Sequence, residues 1–146
     1  MPESVEWLRR CAYWKNDRVV KFLSKHGFVF TDFDGCMYGL VAAKGRDAGM
    51  PIQKPWRVAC SPNSCLPNLL CKRCDGSHDH TPCAGANTLL TQGYTPEIAN
   101  IVHQSIVRDI AVMNKANASA SSYAGRAILS VGIDEMEEAI ALAALG

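Results

Sequence analysis

The chain has 146 residues, a length that fits one domain, and its 48% hydrophobic and 20% charged residues exclude wholesale disorder. The net charge of +1 excludes a strongly basic or acidic character, although residues 1–132 hold all 15 Lys and Arg against 10 of the 14 acids, and residues 133–146 hold the other four acids. No run of about 18 apolar residues exists to cross a membrane, and no export-signal core follows the N-terminus, so an intracellular chain (cytoplasmic or nuclear) with its cysteines reduced is expected.

Residues 4–26 read as helical with a break near Lys15 and Asn16, because Val5, Leu8 and Ala12 recur at helical spacing. Asp17 can cap the second segment, in which Val19, Val20, Phe22 and Leu23 face a core and Gly27 ends the helix. Phe28 to Phe33 reads as a buried strand. Asp34-Gly35 is a turn signal, and Cys36 to Ala42 reads as a returning strand that closes a hairpin. Trp56 to Cys60 is a short strand. Residues 61–94 read as mostly irregular, with a short helix at Asn63–Cys71, and six of the seven prolines fall between residues 51 and 96. Thr95-Pro96-Glu97 starts a helix by a capping hydroxyl, a proline suited to the first turn and an acid that complements the dipole. Its buried stripe is Ile98, Ile101, Val102, Ile106 and Ile110. The expected fold is therefore α/β, a small sheet with flanking helices and an irregular Cys/His segment at 60–94, all within residues 1–112. An Ala/Ser-rich linker or frayed extension at 113–132 and an acidic C-terminal helix at 133–146 follow.

Five residues of the two types that bind soft metals crowd one stretch: Cys71, Cys74, His78, His80 and Cys83. Thiolate and imidazole are the natural ligands of zinc, which takes four of them tetrahedrally. A segment so poor in regular structure needs another source of order, and a metal would supply it. Cys71-Lys72-Arg73-Cys74 has the two-residue gap of zinc knuckles, and Asp75-Gly76 gives the turn that returns later ligands. Either His78 or His80 completes a four-ligand set with Cys83, and Cys36, Cys60 or Cys65 could supply a ligand from elsewhere. The competing reading is a set of ordinary buried thiols and surface histidines.

Other chemistry is weaker. Asp32 and Asp34 alternate along a strand as a carboxylate pair would, but a strand end meeting solvent is the simpler account. No oriented base or oxyanion hole accompanies any cysteine, so catalysis by this chain alone is not expected. Lys54, Arg57, Lys72 and Arg73 could form a patch toward DNA or RNA if a zinc-ordered loop gathers them. Trp7, Trp14 and Trp56 read as core.

Four blocks carry a family resemblance: His26-Gly27-Phe28-Val29-Phe30-Thr31-Asp32-Phe33-Asp34-Gly35-Cys36-Met37-Tyr38-Gly39-Leu40, Lys54-Pro55-Trp56-Arg57-Val58-Ala59, Cys74-Asp75-Gly76-Ser77-His78-Asp79-His80, and Gly93-Tyr94-Thr95-Pro96. In order and spacing they resemble a segment of retroelement-type polyproteins of marine protists. The Cys-x-Tyr-Gly segment followed by a Lys-Pro strand is also similar to the later half of cytosine-C5 DNA methyltransferases. That second resemblance implies a doubly wound sheet binding S-adenosylmethionine, with Tyr38, Gly39, Lys54 and Arg57 near a target-base pocket. The chain departs from the methyltransferase pattern in lacking the Gly-rich turn, the Glu-Asn motif and the nucleophile segment, so it would be a C-terminal remnant. The leading expectation is a zinc-stabilised module of retroelement origin that engages nucleic acid or another part of its polyprotein. The alternatives are the methyltransferase remnant and a metal-free structural interaction domain.

Overall fold

The computed structural model describes residues 3–121. A three-stranded antiparallel sheet organises them: β1 (Ser4–Leu8), β2 (Val29–Asp34) and β3 (Pro55–Cys60), in the order β1-β3-β2. Around it lie α1 (Asp17–Lys25), α2 (Leu66–Leu69), α3 (Ala86–Leu90) and α4 (Pro96–Ser121). This is the expected small sheet with flanking helices.

β3 is central because it can be buried on both faces. Trp56, Val58 and Cys60 point to one side, where Phe33, Tyr38, Leu40, Ile52, Leu66, Leu70 and Ile98 complete the main core. Ala59 points to the other, where Val19 and Leu23 of α1 cover it with help from Trp7, Tyr13, Trp14, Phe22 and Phe28. The alternation follows from the two-residue period of a strand. The register sets Asp32 opposite Arg57 and Phe33 opposite Trp56.

Several local readings of the sequence change. Residues 4–8 are a strand, not the start of a helix: Ser4 to Leu8 pair with Cys60 to Trp56, and over five residues the helical and extended periods are hard to separate, so tertiary pairing decides. Leu8 and Ala12, read as one helical face, are both exposed. The helix cap is Asn16 rather than Asp17, its side chain accepting the Arg18 N–H at 3.0 Å.

The segment after Asp34 is not a returning strand. Gly35–Tyr38 forms a 3-10 turn closed by Gly39 in the left-handed conformation at φ 75°, and the Gly35 N–H donates to the carbonyls of Gln53 and Lys54. The partner of β2 is β3, which lies beyond the loop 40–52.

In α4 the predicted stripe is half right. Ile98 is buried and Ile101 and Val102 pack on the core, but Ile106 and Ile110 are exposed. Ser105 and Asp109 face inward instead, because the Asp109 carboxylate accepts from the Cys65 N–H at 2.9 Å and the Ser64 hydroxyl at 2.7 Å. Residues 113–121, read from composition as a linker or a frayed extension, continue the helix. The rest of that stretch and the acidic segment 133–146 lie outside the described residues. No helix among the described residues is long and apolar enough to cross a membrane.

Candidate metal centre

The end of β2 delivers the first sulfur. Gly35 sits where an added Cβ would meet Leu40 at 2.6 Å and the Trp56 ring at 3.0 Å, so only glycine allows the chain to turn tightly against the core. That turn places Cys36 at the surface of the main core, half-buried.

A second segment, residues 70–81, is strapped across the same end of the sheet by side chains of β2 and the turn. The Thr31 hydroxyl donates to the Leu70 carbonyl at 2.8 Å. The Lys72 N–H donates to the Tyr38 hydroxyl at 2.8 Å, and the Asp34 N–H donates to the Lys72 carbonyl at 3.1 Å. Asp34, fully buried, then accepts through Oδ2 from Arg73 Nε and from the Cys74 N–H, each at 2.9 Å. Thus one carboxylate two residues before Cys36 fixes the backbone of Cys74.

Past Cys74 the chain reverses. Asp75 accepts the Ser77 N–H at 2.9 Å, and Gly76 takes φ 79°, a conformation that favours glycine. His78 and His80 return toward the sulfurs. Thr81 closes the strap, its N–H donating to Pro51 at 2.9 Å and its hydroxyl to Asp47 at 2.7 Å.

Among the described residues, Cys36, Cys74, His78 and His80 bring their ligand atoms within 4.8 Å of one another. The sulfur–nitrogen separations are 3.8 Å for Cys74–His78, 3.5 Å for Cys74–His80 and 3.4 Å for Cys36–His80, all through Nε2. Tetrahedral zinc, with Zn–S of about 2.3 Å and Zn–N of about 2.0 Å, requires sulfur and nitrogen about 3.5 Å apart. Three of the six edges among these four atoms therefore have the length of a tetrahedral zinc site, and all six are within 4.8 Å. Burial, the facing Cys74 side chain and the nearby Asp34 carboxylate push the Cys36 thiol up to about 12. With no cation it keeps its proton, and a divalent metal reverses this by stabilising the thiolate.

Of the five ligands read from sequence, the fold brings together Cys74, His78 and His80. It places Cys71 and Cys83 elsewhere. Cys71 is exposed, with its sulfur 3.7 Å from the Asn68 carbonyl. The peptide groups of Lys72 are taken by Tyr38 and Asp34, which turns residue 71 away. Cys83 follows the anchored Thr81 and sits 3.2 Å from the Thr91 hydroxyl. The fourth member, Cys36, comes from 38 positions upstream of Cys74. The Asp-Gly turn before it was the local signal; nothing in the spacing chose it over Cys60 or Cys65. Cys60 is fully buried and its thiol pushed up to about 11, chiefly by burial. Cys65 contacts Ser105.

The four basic residues read as a nucleic-acid patch are all engaged within the fold. Arg57 pairs with Asp32 through two bonds of 2.7 and 3.0 Å. Arg73 bridges Asp34 at 2.9 Å and Asp32 at 3.5 Å. Asp32 and Asp34 are thus counter-ions of these arginines, not a carboxylate pair. Lys72 reaches Glu97 at 3.7 Å, and Lys54 donates to the Thr91 carbonyl above the Trp56 ring. Beside the centre opens a cavity of about 780 Å³ bordered by Glu6, Trp7, Lys54, Trp56, His80 and Cys83. Comparison with family models, curated proteins and solved structures gave no match to this chain.

Proposed function

We propose that the protein is a zinc-stabilised module in which Cys36, Cys74, His78 and His80 hold one metal ion. The observation that carries this is the set of sulfur–nitrogen separations, 3.4 to 3.8 Å, at the edge length of a tetrahedral zinc site. Two thiolates and two imidazoles favour zinc over magnesium or calcium, which prefer oxygen. Four protein ligands fill the tetrahedron and leave no open position for a reacting water, so the metal's role is structural: it pins the irregular strap 70–81 onto the sheet. An origin within a retroelement-type polyprotein is proposed on the four sequence blocks alone. Contact with nucleic acid would need Lys72 or Arg73 to exchange its present carboxylate partner for phosphate.

Metal analysis of the purified chain tests the reading. About one equivalent of zinc is expected, lost in Cys36→Ser and His80→Ala and kept in Cys71→Ser and Cys83→Ser. Cobalt in place of zinc should give the visible absorption of a tetrahedral thiolate site. Zinc retained by Cys36→Ser but lost in Cys71→Ser would refute this ligand set.

A further inference from the structure

We propose that Cys36 and Cys74 form a reversible oxidation site, at which a peroxide joins the two metal-bound thiolates into one disulfide and expels the metal. The inference rests on the metal reading above and adds a covalent modification to the same residues. Their sulfurs lie within 4.8 Å of each other. Both backbones hang on one residue: Cys36 follows Asp34 by two positions on a tight turn, and the Cys74 N–H donates to the Asp34 carboxylate at 2.9 Å. Closing the remaining gap to a disulfide bond of about 2.05 Å requires the two sulfurs to approach further. Both residues are half-buried, so a small oxidant can reach them. Cys71 is three residues from Cys74 and is the competing partner, but its sulfur faces the Asn68 carbonyl and the anchored Lys72 peptide holds it there.

The chemistry balances with one peroxide. One thiolate attacks a peroxide oxygen, the O–O bond breaks, and a sulfenic acid and hydroxide form. The second thiolate attacks the sulfenic sulfur, the S–O bond breaks, and a second hydroxide leaves. Two protons convert the hydroxides to two waters. Two thiolate sulfurs lose two electrons in total, and the peroxide gains them. Disulfide sulfur is a poor zinc ligand, so only His78 and His80 stay bound and the metal dissociates. The strap then changes from metal-pinned to disulfide-pinned.

The test uses the full zinc-loaded chain treated with hydrogen peroxide, with a chromogenic chelator reporting released zinc and peptide mapping reporting the bonds. One zinc released for each two thiols lost, a Cys36–Cys74 cross-linked peptide, and recovery of zinc binding after dithiothreitol are expected. The double variant Cys71→Ser with Cys83→Ser should behave the same. A disulfide to Cys71, or zinc held while other cysteines oxidise, overturns the proposal. A reduced chain that takes up no zinc defeats the metal reading instead, and mapping the oxidised metal-free chain still decides whether Cys36 and Cys74 pair.

Discussion

Asp34 shows how one side chain can serve both the fold and the centre. Its Oδ2 holds the Arg73 guanidinium and the Cys74 N–H, while Oδ1 is buried without a hydrogen-bond partner. Removing the carboxylate leaves Arg73 with its weaker contact to Asp32 and frees the Cys74 backbone. Asp34→Ala should lower unfolding free energy by about 3 kcal/mol in urea titrations with chelator present. It should also weaken zinc binding by about tenfold or more in competition titrations, as loss of a supporting partner does. Glu6 carries the opposite lesson. Burial pushes its carboxyl above the ordinary 4.5, more than the bond from the Tyr94 hydroxyl at 2.6 Å and the Lys54 charge pull it down. Folding therefore favours the protonated acid. That contribution is full below the unfolded value and is lost as pH rises through the higher folded value. Glu6→Gln keeps an acceptor for Tyr94 without the charge, so its unfolding free energy at pH 7 should exceed the parent's by up to about 1 kcal/mol, partial exposure limiting the gain. The difference should vanish near pH 4.

At the scale of elements, short pieces are held by their neighbours rather than by their own propensity. α2 has four residues, too few to persist alone, and the Asp109 carboxylate of α4 supplies the acceptor for the N–H at its start. α4 begins as its sequence indicates: the Thr95 hydroxyl accepts the Ile98 N–H at 3.2 Å and donates to the Tyr38 carbonyl at 2.7 Å. The helix start is thereby joined to the turn that presents Cys36. That turn depends on Gly35. Gly35→Ala forces a methyl against Leu40 and Trp56, an overpacking that costs about 1–3 kcal/mol, and the shift propagates to Cys36. Thermal melts should fall with or without zinc, and zinc affinity should fall as well. A variant that loses stability yet binds zinc with parental affinity would show that the turn does not position the ligand.

Among the described residues, α1 packs on the sheet through Val19 and Leu23 and α4 through Ile98, and the strap 70–81 is attached through hydrogen bonds to β2 and the turns and through the buried Leu70 and Thr81. Metal should matter most there. Hydrogen exchange after chelation is expected to rise in residues 70–81 while β1, β2 and β3 stay protected. Free zinc at about 1,000 times its dissociation constant should add about 4 kcal/mol to stability. Uniform exchange across the sheet on chelation would instead mean that the metal holds the core.

What the sequence determined by itself was local. Thr95-Pro96-Glu97 specified a helix start, Phe28 to Phe33 and Trp56 to Cys60 specified strands by their β-branched and aromatic content, and the density of Cys and His between 71 and 83 marked a metal-type segment. These signals need only near neighbours in the chain. Tertiary structure decided what depends on distance. It made residues 4–8 a strand because Cys60 to Trp56 offered an edge to pair with, and it gave Arg57 and Arg73 to Asp32 and Asp34 rather than to a free patch. It also selected Cys36 over Cys71 and Cys83. A ligand set is defined by where four atoms meet in space, and the Asp34 carboxylate, joining residues 34 and 74, sets that meeting point.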